Sequence, residues 1–348
     1  MTTPLDNLFR RINRHVILTE DEAVATTLWV AHTHCYNRFR MSPRLRLTSP
    51  ERGCGKTTLL VVLNHTVRAA LMTAHATPAA IFREISTRSP TLLFDEADAS
   101  FRVEDMISIL NTGHLRESAV VLRAGSTSGT QKFVTWAPAA FAVLDKIPDT
   151  LASRSITINL RRKGEDQTTK PLDDKAIHRL QKISRRIAKW CSINRKLLAS
   201  AKPEVPDGFQ NRDADNWFPL LAIAEVAGGD WPERARRAAK ALQVKEQPAI
   251  GTELLTDIRD IFGSTLNRIF SADLALKLTG LEGRPWMNYE GHGGITATSV
   301  AKILTPYGVT PKNIREGERV LRGYRRKNFD DAFSRYLKPL PGSDTIAK

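Results

Sequence analysis

The chain has 348 residues, 41% of them apolar, and a formal net charge of +15 at pH 7. That length accommodates two or three domains with real cores, and the charge argues for a polyanionic partner. Cys35, Cys54 and Cys191 lie far apart without metal-ligand spacing, and neither a leader pattern nor an apolar run of about 18 residues occurs. A disulfide scaffold and a membrane protein are excluded on this reading, and a soluble cytoplasmic protein is expected.

Residues 1–43 read as a helical N-terminal segment. Thr19 before Glu20, Asp21 and Glu22 is a helix start, since acids there complement the helix dipole. Ala25, Leu28, Trp29 and His32 follow on one apolar face, and His32 and His34 are read as packing or capping residues rather than metal ligands.

Arg44 to Thr48 alternates basic and apolar residues, as a short strand does. The chain then turns through Gly53, Cys54 and Gly55 into a helical pattern opening on Lys56, Thr57 and Thr58. A strand, a glycine turn and a helix opening on Lys-Thr make a phosphate-binding loop. Glycines let successive backbone N–H groups point into one concavity, and the helix N-terminus adds positive charge. Lys56 is expected to reach the β- and γ-phosphates of ATP, with Thr57 ligating Mg²⁺. One departure stands out: Pro50 occupies the place of the loop's usual first glycine, which fixes φ at the entrance.

Thr57 to Ala70 reads as helix, and Thr77-Pro78 starts another that runs through Ile85. Thr91 to Phe94 is an apolar strand ending in Asp95 and Glu96. Asp95 is expected to hold Mg²⁺ and Glu96 to orient and deprotonate the attacking water. The letters DEAD at 95–98 stand without the other helicase motifs that share that string. Met106 to Leu110 is helical and ends near Gly113. Runs 119–124 and 133–144 are β-rich and flank the hairpin tip GSTSGT. Strands alternating with helices imply an α/β sheet.

Residues 147–160 read as a short helix, then Arg154, then a final strand. Arg154 is read either as a finger reaching a neighbouring subunit's γ-phosphate or as a surface ion-pair partner. After a polar linker, 173–200 is a long amphipathic helix with Ile177, Leu180, Ile183, Ile187 and Trp190 on its apolar face. Its other faces carry Lys175, Arg179, Lys182, Arg185, Arg186, Lys189, Arg195 and Lys196, with no acid from 175 to 196. Such a run is either a solvated face or a phosphate-facing one. Residues 211–227 are a further helix, whose Arg212 could reach bound nucleotide as a lid arginine or pair with Asp215.

Residues 251–340 look like a separate domain of three helices, a hairpin around Glu316-Gly317 and a closing helix. That is the winged-helix arrangement of DNA readers. Arg315, Arg319, Arg322, Arg325 and Arg326 are candidate phosphate contacts. Tyr324 is expected to stack on a base, and Gly317 and Gly323 to let a phosphate approach.

The stretches LWVAHTH (28–34), SPERGCGKTTLL (49–60), LLFDEAD (92–98), LNTGHLR (110–116), IPDTLASRSITINLRR (147–162), NRDADNWFPLLAIAEVAGGDWP (211–232) and RGYRRKNFDDAFSRYL (322–337) together carry a resemblance. The chain resembles an uncharacterised domain family of phages, plasmids and genomic islands whose members often sit behind primase-like modules. The resemblance implies an AAA+-like P-loop ATPase of a primase–helicase system; with no primase half in the sequence, the chain is expected to be the motor alone or to have its partner encoded elsewhere, and a homo-oligomeric ring is expected. On this reading residues 44–165 are the P-loop core, 166–250 a helical lid, 251–340 the winged-helix-like domain and 341–348 a tail. The expected activity is an ATP-driven helicase or translocase on single-stranded or forked DNA. The alternative is a nucleotide-controlled DNA-binding switch or loader that unwinds nothing.

Overall fold

Short apolar runs with period-two burial are what a two-sided parallel sheet requires, and the chain supplies five of them. The computed structural model describes residues 3–337 except 96, 98–103, 125–128, 145–146, 210, 244–249, 264, 292 and 317. It divides into two compact units, Met1–Val244 and Lys245–Lys348.

In the first unit, β1 (Arg44–Thr48), β2 (Ala70–Thr73), β3 (Thr91–Phe94), β6 (Ala139–Ala142) and β7 (Ser155–Asn159) form a parallel sheet in the order β2-β3-β6-β1-β7. Leu45, Leu47, Leu93, Ala140, Ala142, Ile156 and Ile158 bury on one face. Leu92, Phe94, Ala139 and Phe141, one residue out of phase, bury on the other. β2 is a correction to the expected helix over 57–70, because helix α3 (Lys56–Asn64) ends early and Ala70–Thr73 extends alongside β3. The four residues ALMT are too short for periodicity to separate strand from helix end. The 133–144 run also divides. β4 (Val120–Ala124) and β5 (Thr130–Val134) pair as an antiparallel hairpin apart from the main sheet, and Pro138 precedes β6.

Helices from both ends of the unit cover the first face. α1 (Pro4–His15) and α2 (Glu20–Cys35) each begin with a reciprocal capping box, Thr3 with Asp6 and Thr19 with Glu22. Glu22 does more than cap: its Oε1 accepts from Asn159 N at 3.0 Å, fixing the start of α2 to the end of β7. α7 (Asp174–Ile193), α8 (Arg195–Ser200), α9 (Asn211–Ala227) and α10 (Trp231–Leu242) share the same core with α1 and α2. Residues 1–43 and 166–243 therefore interleave in one helical layer. His32 and His34 are absorbed by packing: His32 Nε2 lies 3.2 Å from Ser42 Oγ, and His34 Nε2 donates to Thr66 O at 2.8 Å. On the second face lie α4 (Pro78–Arg88), α5 (Glu104–Thr112) and α6 (Asp149–Ala152).

The second unit runs α11 (Ile250–Phe262), β8 (Arg268–Phe270), α12 (Ser271–Thr279), α13 (Ala297–Leu304), β9 (Lys312–Glu316), β10 (Arg319–Arg325) and α14 (Asp330–Tyr336). Its strands form an antiparallel sheet in the order β8-β10-β9, over a core including Leu254, Phe262, Trp286, Leu304, Tyr324 and Phe329. β8 was not legible as a strand, because three residues give no alternation to detect.

Candidate active site

All five strands of the main sheet point the same way, so their C-terminal ends share one edge. β1 ends there at Thr48 and leads through residues 49–55 into α3. Gly53 at φ +80° and Gly55 at φ +93° take left-handed conformations that let the loop turn back on the helix. An added Cβ at Gly55 would meet nothing closer than 3.8 Å, so the need for glycine there is conformational rather than steric. Cys54 tucks into the core and anchors the loop from below. Gly55 is the helix N-cap and offers no side-chain oxygen, which leaves the first N–H groups of α3 without a protein cap. Lys56 Nζ donates to Ser49 Oγ at 2.5 Å across the loop, and Ser49 Oγ donates to Glu51 O at 2.6 Å. Thr57 is exposed at the mouth, while Lys56 and Thr58 are half-buried. Uncapped donors, an ammonium and an exposed hydroxyl at one helix start are a donor set suited to a phosphate chain with a divalent cation.

Asp95 follows β3 on this same edge. The register runs Phe94 to Phe141 and Phe141 to Arg46, so Asp95 stands level with Ala142 and Leu47. With β6 between them, Asp95 and the root of the loop are two strand spacings apart, about 10 Å. Asp95 is half-buried and engaged with its surroundings. Glu96, the expected water-activating residue, lies outside the described residues.

The opposite edge is built quite differently. Arg44 opens β1 and is 1% exposed, with no carboxylate within ion-pair distance among the described residues. Its Nε and Nη2 donate to Leu110 O at 3.0 and 2.7 Å, and Nη1 donates to Ala137 O at 2.6 Å. Leu110 lies in the last turn of α5, where unpaired carbonyls favour a cation. Burial, and then the charge of Arg154, pushes the Arg44 guanidinium down to about 9, still protonated at neutral pH. Next to it Gly113 is forced by contact, because a Cβ there would lie 2.2 Å from Thr135 O and 2.6 Å from Arg44 Nη2.

His114 follows, buried, and held down to about 3 chiefly by burial and then by Arg44. Its Nε2 lies 2.7 Å from Asn216 Oδ1, and Asn216 Nδ2 donates to Ser153 O at 3.0 Å. An amide that donates through nitrogen accepts through oxygen, so His114 carries its proton on Nε2. This bond ties α9 to the residue before Arg154. Arg154 itself hydrogen-bonds Thr150 O, and its backbone carbonyl accepts from Arg44 N at 3.0 Å. Sequence reasoning missed Arg44, His114 and Asn216 as one group. A basic residue on a predicted inner strand was the available signal.

Arg154 is therefore at the N-terminal edge, about 13 Å of strand away from the 49–55 loop. Arg212 Nη1 donates to Ser153 Oγ at 2.9 Å, which puts Arg212 beside Arg154 rather than at that loop. The structure does not bring Arg212 to the 49–55 loop of the same chain, and Arg212 makes no ion pair with Asp215. Partial burial and the nearby Arg212 lower the Arg154 guanidinium.

In the second unit the register sorts the basic residues by face, since paired residues lie side by side. Lys312 pairs with Gly323 and Arg268 with Arg325, so Lys312, Arg268, Arg319 and Arg325 share one face. Val320 with Arg315, and Arg322 with Asn313, lie on the other. Arg315, Arg319, Arg322, Arg325 and Arg326 are exposed. Tyr324 is 1% exposed and packs against Phe329 at 5.7 Å between ring centroids, so the expected base-stacking role is corrected to a core one. The strand alternation that exposes Arg325 turns Tyr324 inward. Gly323 is likewise a packing residue, because a Cβ there would meet Ile269 O at 2.4 Å and Ile314 Cδ1 at 2.5 Å. Gly317 lies outside the described residues. Arg268 was missed because only β8 pairing brings it to Arg325.

A family model described as protein of unknown function (DUF3631) matches residues 159–336, just over half of the chain. The chain belongs to that family. The matched region starts at the last residue of β7, after the 49–55 loop and β3. An uncharacterized 28.9 kDa protein in the xis 5′ region of Saccharopolyspora erythraea is 34% identical over 191 residues, covering 52% of this chain and 70% of that protein. A solved structure described as the A form apo structure of the NrS-1 C terminal region matches with a TM-score of 0.47 at 14% identity, over 92% of this chain and 75% of that one. Another, described as SCCmec type IV Cch, active helicase, matches with a TM-score of 0.47 at 12% identity, over 94% of this chain and 71% of that one. No described helix of this chain is long and apolar enough to cross a membrane.

Proposed function

We propose that this chain is an AAA+-like, ATP-hydrolysing motor acting on DNA, assembled as a ring of identical subunits. One observation carries the reading: the loop of Gly53–Thr57 and the carboxylate of Asp95 share one sheet edge, while Arg154 stands on the other. The order β2-β3-β6-β1-β7, with β6 between loop strand and acidic strand, supports the AAA+-like core. In this scheme the N–H groups at the start of α3 and the Lys56 ammonium bind the phosphates. Thr57 and Asp95 would hold Mg²⁺, which would supply charge neutralisation for the phosphates. Glu96 takes a proton from the attacking water as the new oxygen–phosphorus bond forms and the bond to ADP breaks. Arg154 completes the site of the adjacent copy, where its charge meets the transition state.

The second unit's order of helices and strands supports a winged helix, with α13 in the recognition position and β9–β10 as the wing. Thr298 and Lys302, four apart on α13, are exposed. ATP hydrolysis measured with and without single-stranded DNA, alongside strand displacement on a forked duplex, tests the reading. Stimulated hydrolysis with displacement is expected. Absence of hydrolysis overturns it, and hydrolysis or binding without displacement identifies a switch or loader.

A further inference from the structure

α7 carries a feature that the motor reading leaves unused. At 100° per residue, Lys175, Arg179, Lys182, Arg186 and Lys189 fall within a stripe about 80° wide and about 21 Å long. All five are exposed, and Leu180, Ile183, Ile187 and Cys191 bury the opposite side of the helix. α1 packs alongside and adds Arg10, Arg11 and Arg14. Arg11 lies close enough to Arg179 for the two charges to disfavour each other.

Several arginines elsewhere in the chain are neutralised by nearby carboxylates. Arg234, Arg236 and Arg237 of α10 pair with Glu20, Asp230, Glu225 and Asp21, Arg88 pairs with Glu84, and Arg335 with Asp331. Among the described residues none of the eight cations on α1 and α7 has a carboxylate at that distance. Successive like charges at i,i+3 and i,i+4 disfavour a helix unless an anion faces them.

We infer that this α7–α1 face is a second nucleic-acid surface, one that tracks the phosphate backbone of a duplex. The cations stand every ~4.5 to 6 Å along the helix, wider than the roughly 3.4 Å repeat of phosphates per strand, so each has a phosphate within reach of its long side chain. A lipid surface would need the helix's apolar side free, and that side is in the core. The stripe presents no exposed Phe, Tyr or Trp for stacking on unpaired bases, which favours duplex over single strand. The surface needs no nucleotide hydrolysis, so failure of the ATPase test would leave it standing.

The test replaces Lys175, Arg179, Lys182, Arg186 and Lys189 with Gln in the full chain. Affinity for a duplex of about 30 mixed-sequence base pairs is measured without nucleotide from roughly 50 to 200 mM KCl. Loss of five contacts should flatten the log–log salt slope by about 4.5 units, so that the affinity lost over that range shrinks by roughly 500-fold. Circular dichroism should be unchanged and the thermal midpoint should not fall, because the sites are exposed and the removed charges repel one another. If the five-fold variant misfolds, Lys182→Glu with Arg186→Glu takes its place and should weaken duplex binding at low salt. An unchanged slope and affinity in a folded variant overturns the inference. So does binding of the parent to phosphatidylserine–phosphatidylcholine vesicles that the variant loses while its duplex binding stays intact.

Discussion

The two edges of the main sheet use the same kinds of residue for opposite ends. At the C-terminal edge Lys56 is half-buried, reaches only a serine hydroxyl among the described residues, and sits among N–H groups without side-chain caps. At the N-terminal edge Arg44 is sealed among carbonyls, and His114 and Asn216 complete a closed hydrogen-bond chain to Ser153. Unsatisfied donors mark a place where a ligand can bind, whereas satisfied ones mark a place where structure is fixed. Arg154 belongs to both descriptions. Its backbone is fixed by the buried group, while its charge has no carboxylate partner among the described residues.

Removing the open cation should have the largest effect. Lys56→Ala is expected to abolish measurable ATP turnover, since the β- and γ-phosphates lose the loop's lysine. The thermal midpoint should not move, because among the described residues Lys56 bonds only Ser49. Normal turnover in this variant would remove the loop from the active site and erase the contrast between the edges.

Arg154→Ala sharpens the comparison, because the residue's edge predicts where its effect is felt. Turnover should fall on the order of a thousandfold with little change in nucleotide affinity. Mixing Arg154→Ala with Glu96→Gln subunits should restore part of the activity, since some interfaces then hold both intact residues. Verified mixed assemblies without recovery at any ratio would return Arg154 to the surface ion-pair reading.

Gly113→Ala strikes the closed edge alone. A methyl group 2.2 Å from Thr135 O must push either β5's exit or α5 aside, at a cost of about 3 kcal/mol. Urea unfolding should show the loss, and nucleotide affinity of the folded protein should be retained. A neutral result would mean that the α5–Arg44 contact is loose.

The contrast also explains what could be read from residues alone. The loop of 49–58 and the strand ending in Asp95 are local patterns, and the structure puts them on one edge. The helix start at Thr19, the α7 stripe and the 314–324 hairpin are likewise carried by neighbours in sequence. Legibility fails where partners come from distant strands. Arg44 meets Leu110 and Ala137, Asn216 meets His114, and Arg268 meets Arg325 only through tertiary pairing. Tyr324 and Gly323 failed for another reason. An aromatic and a glycine amid arginines suggested a ligand surface, yet a three-stranded sheet must turn alternate residues inward, and its third strand was the unread β8.

The smallest predicted effect is a pH dependence carried by the closed edge and its neighbour. His114 and His32 are both held at about 3, chiefly by burial and with Arg44 adding to it, against an ordinary value near 6.5. Between these values the unfolded chain takes up two protons that the folded one refuses, so stability falls as pH drops from about 6.5 toward 3 and is full above 6.5. Each group contributes roughly 1.4 kcal/mol per pH unit well inside that window, and together they give roughly 2.7. His114→Gln separates the two, because its amide can still donate to Asn216 Oδ1 but cannot titrate. The slope of unfolding free energy against pH between about 6 and 4.5 should fall by roughly 1.4 kcal/mol per unit in that variant. A slope equal to that of the parent chain would mean that His114 is reached by solvent protons in the folded state, and the N-terminal edge would then be as open as the one that carries Lys56.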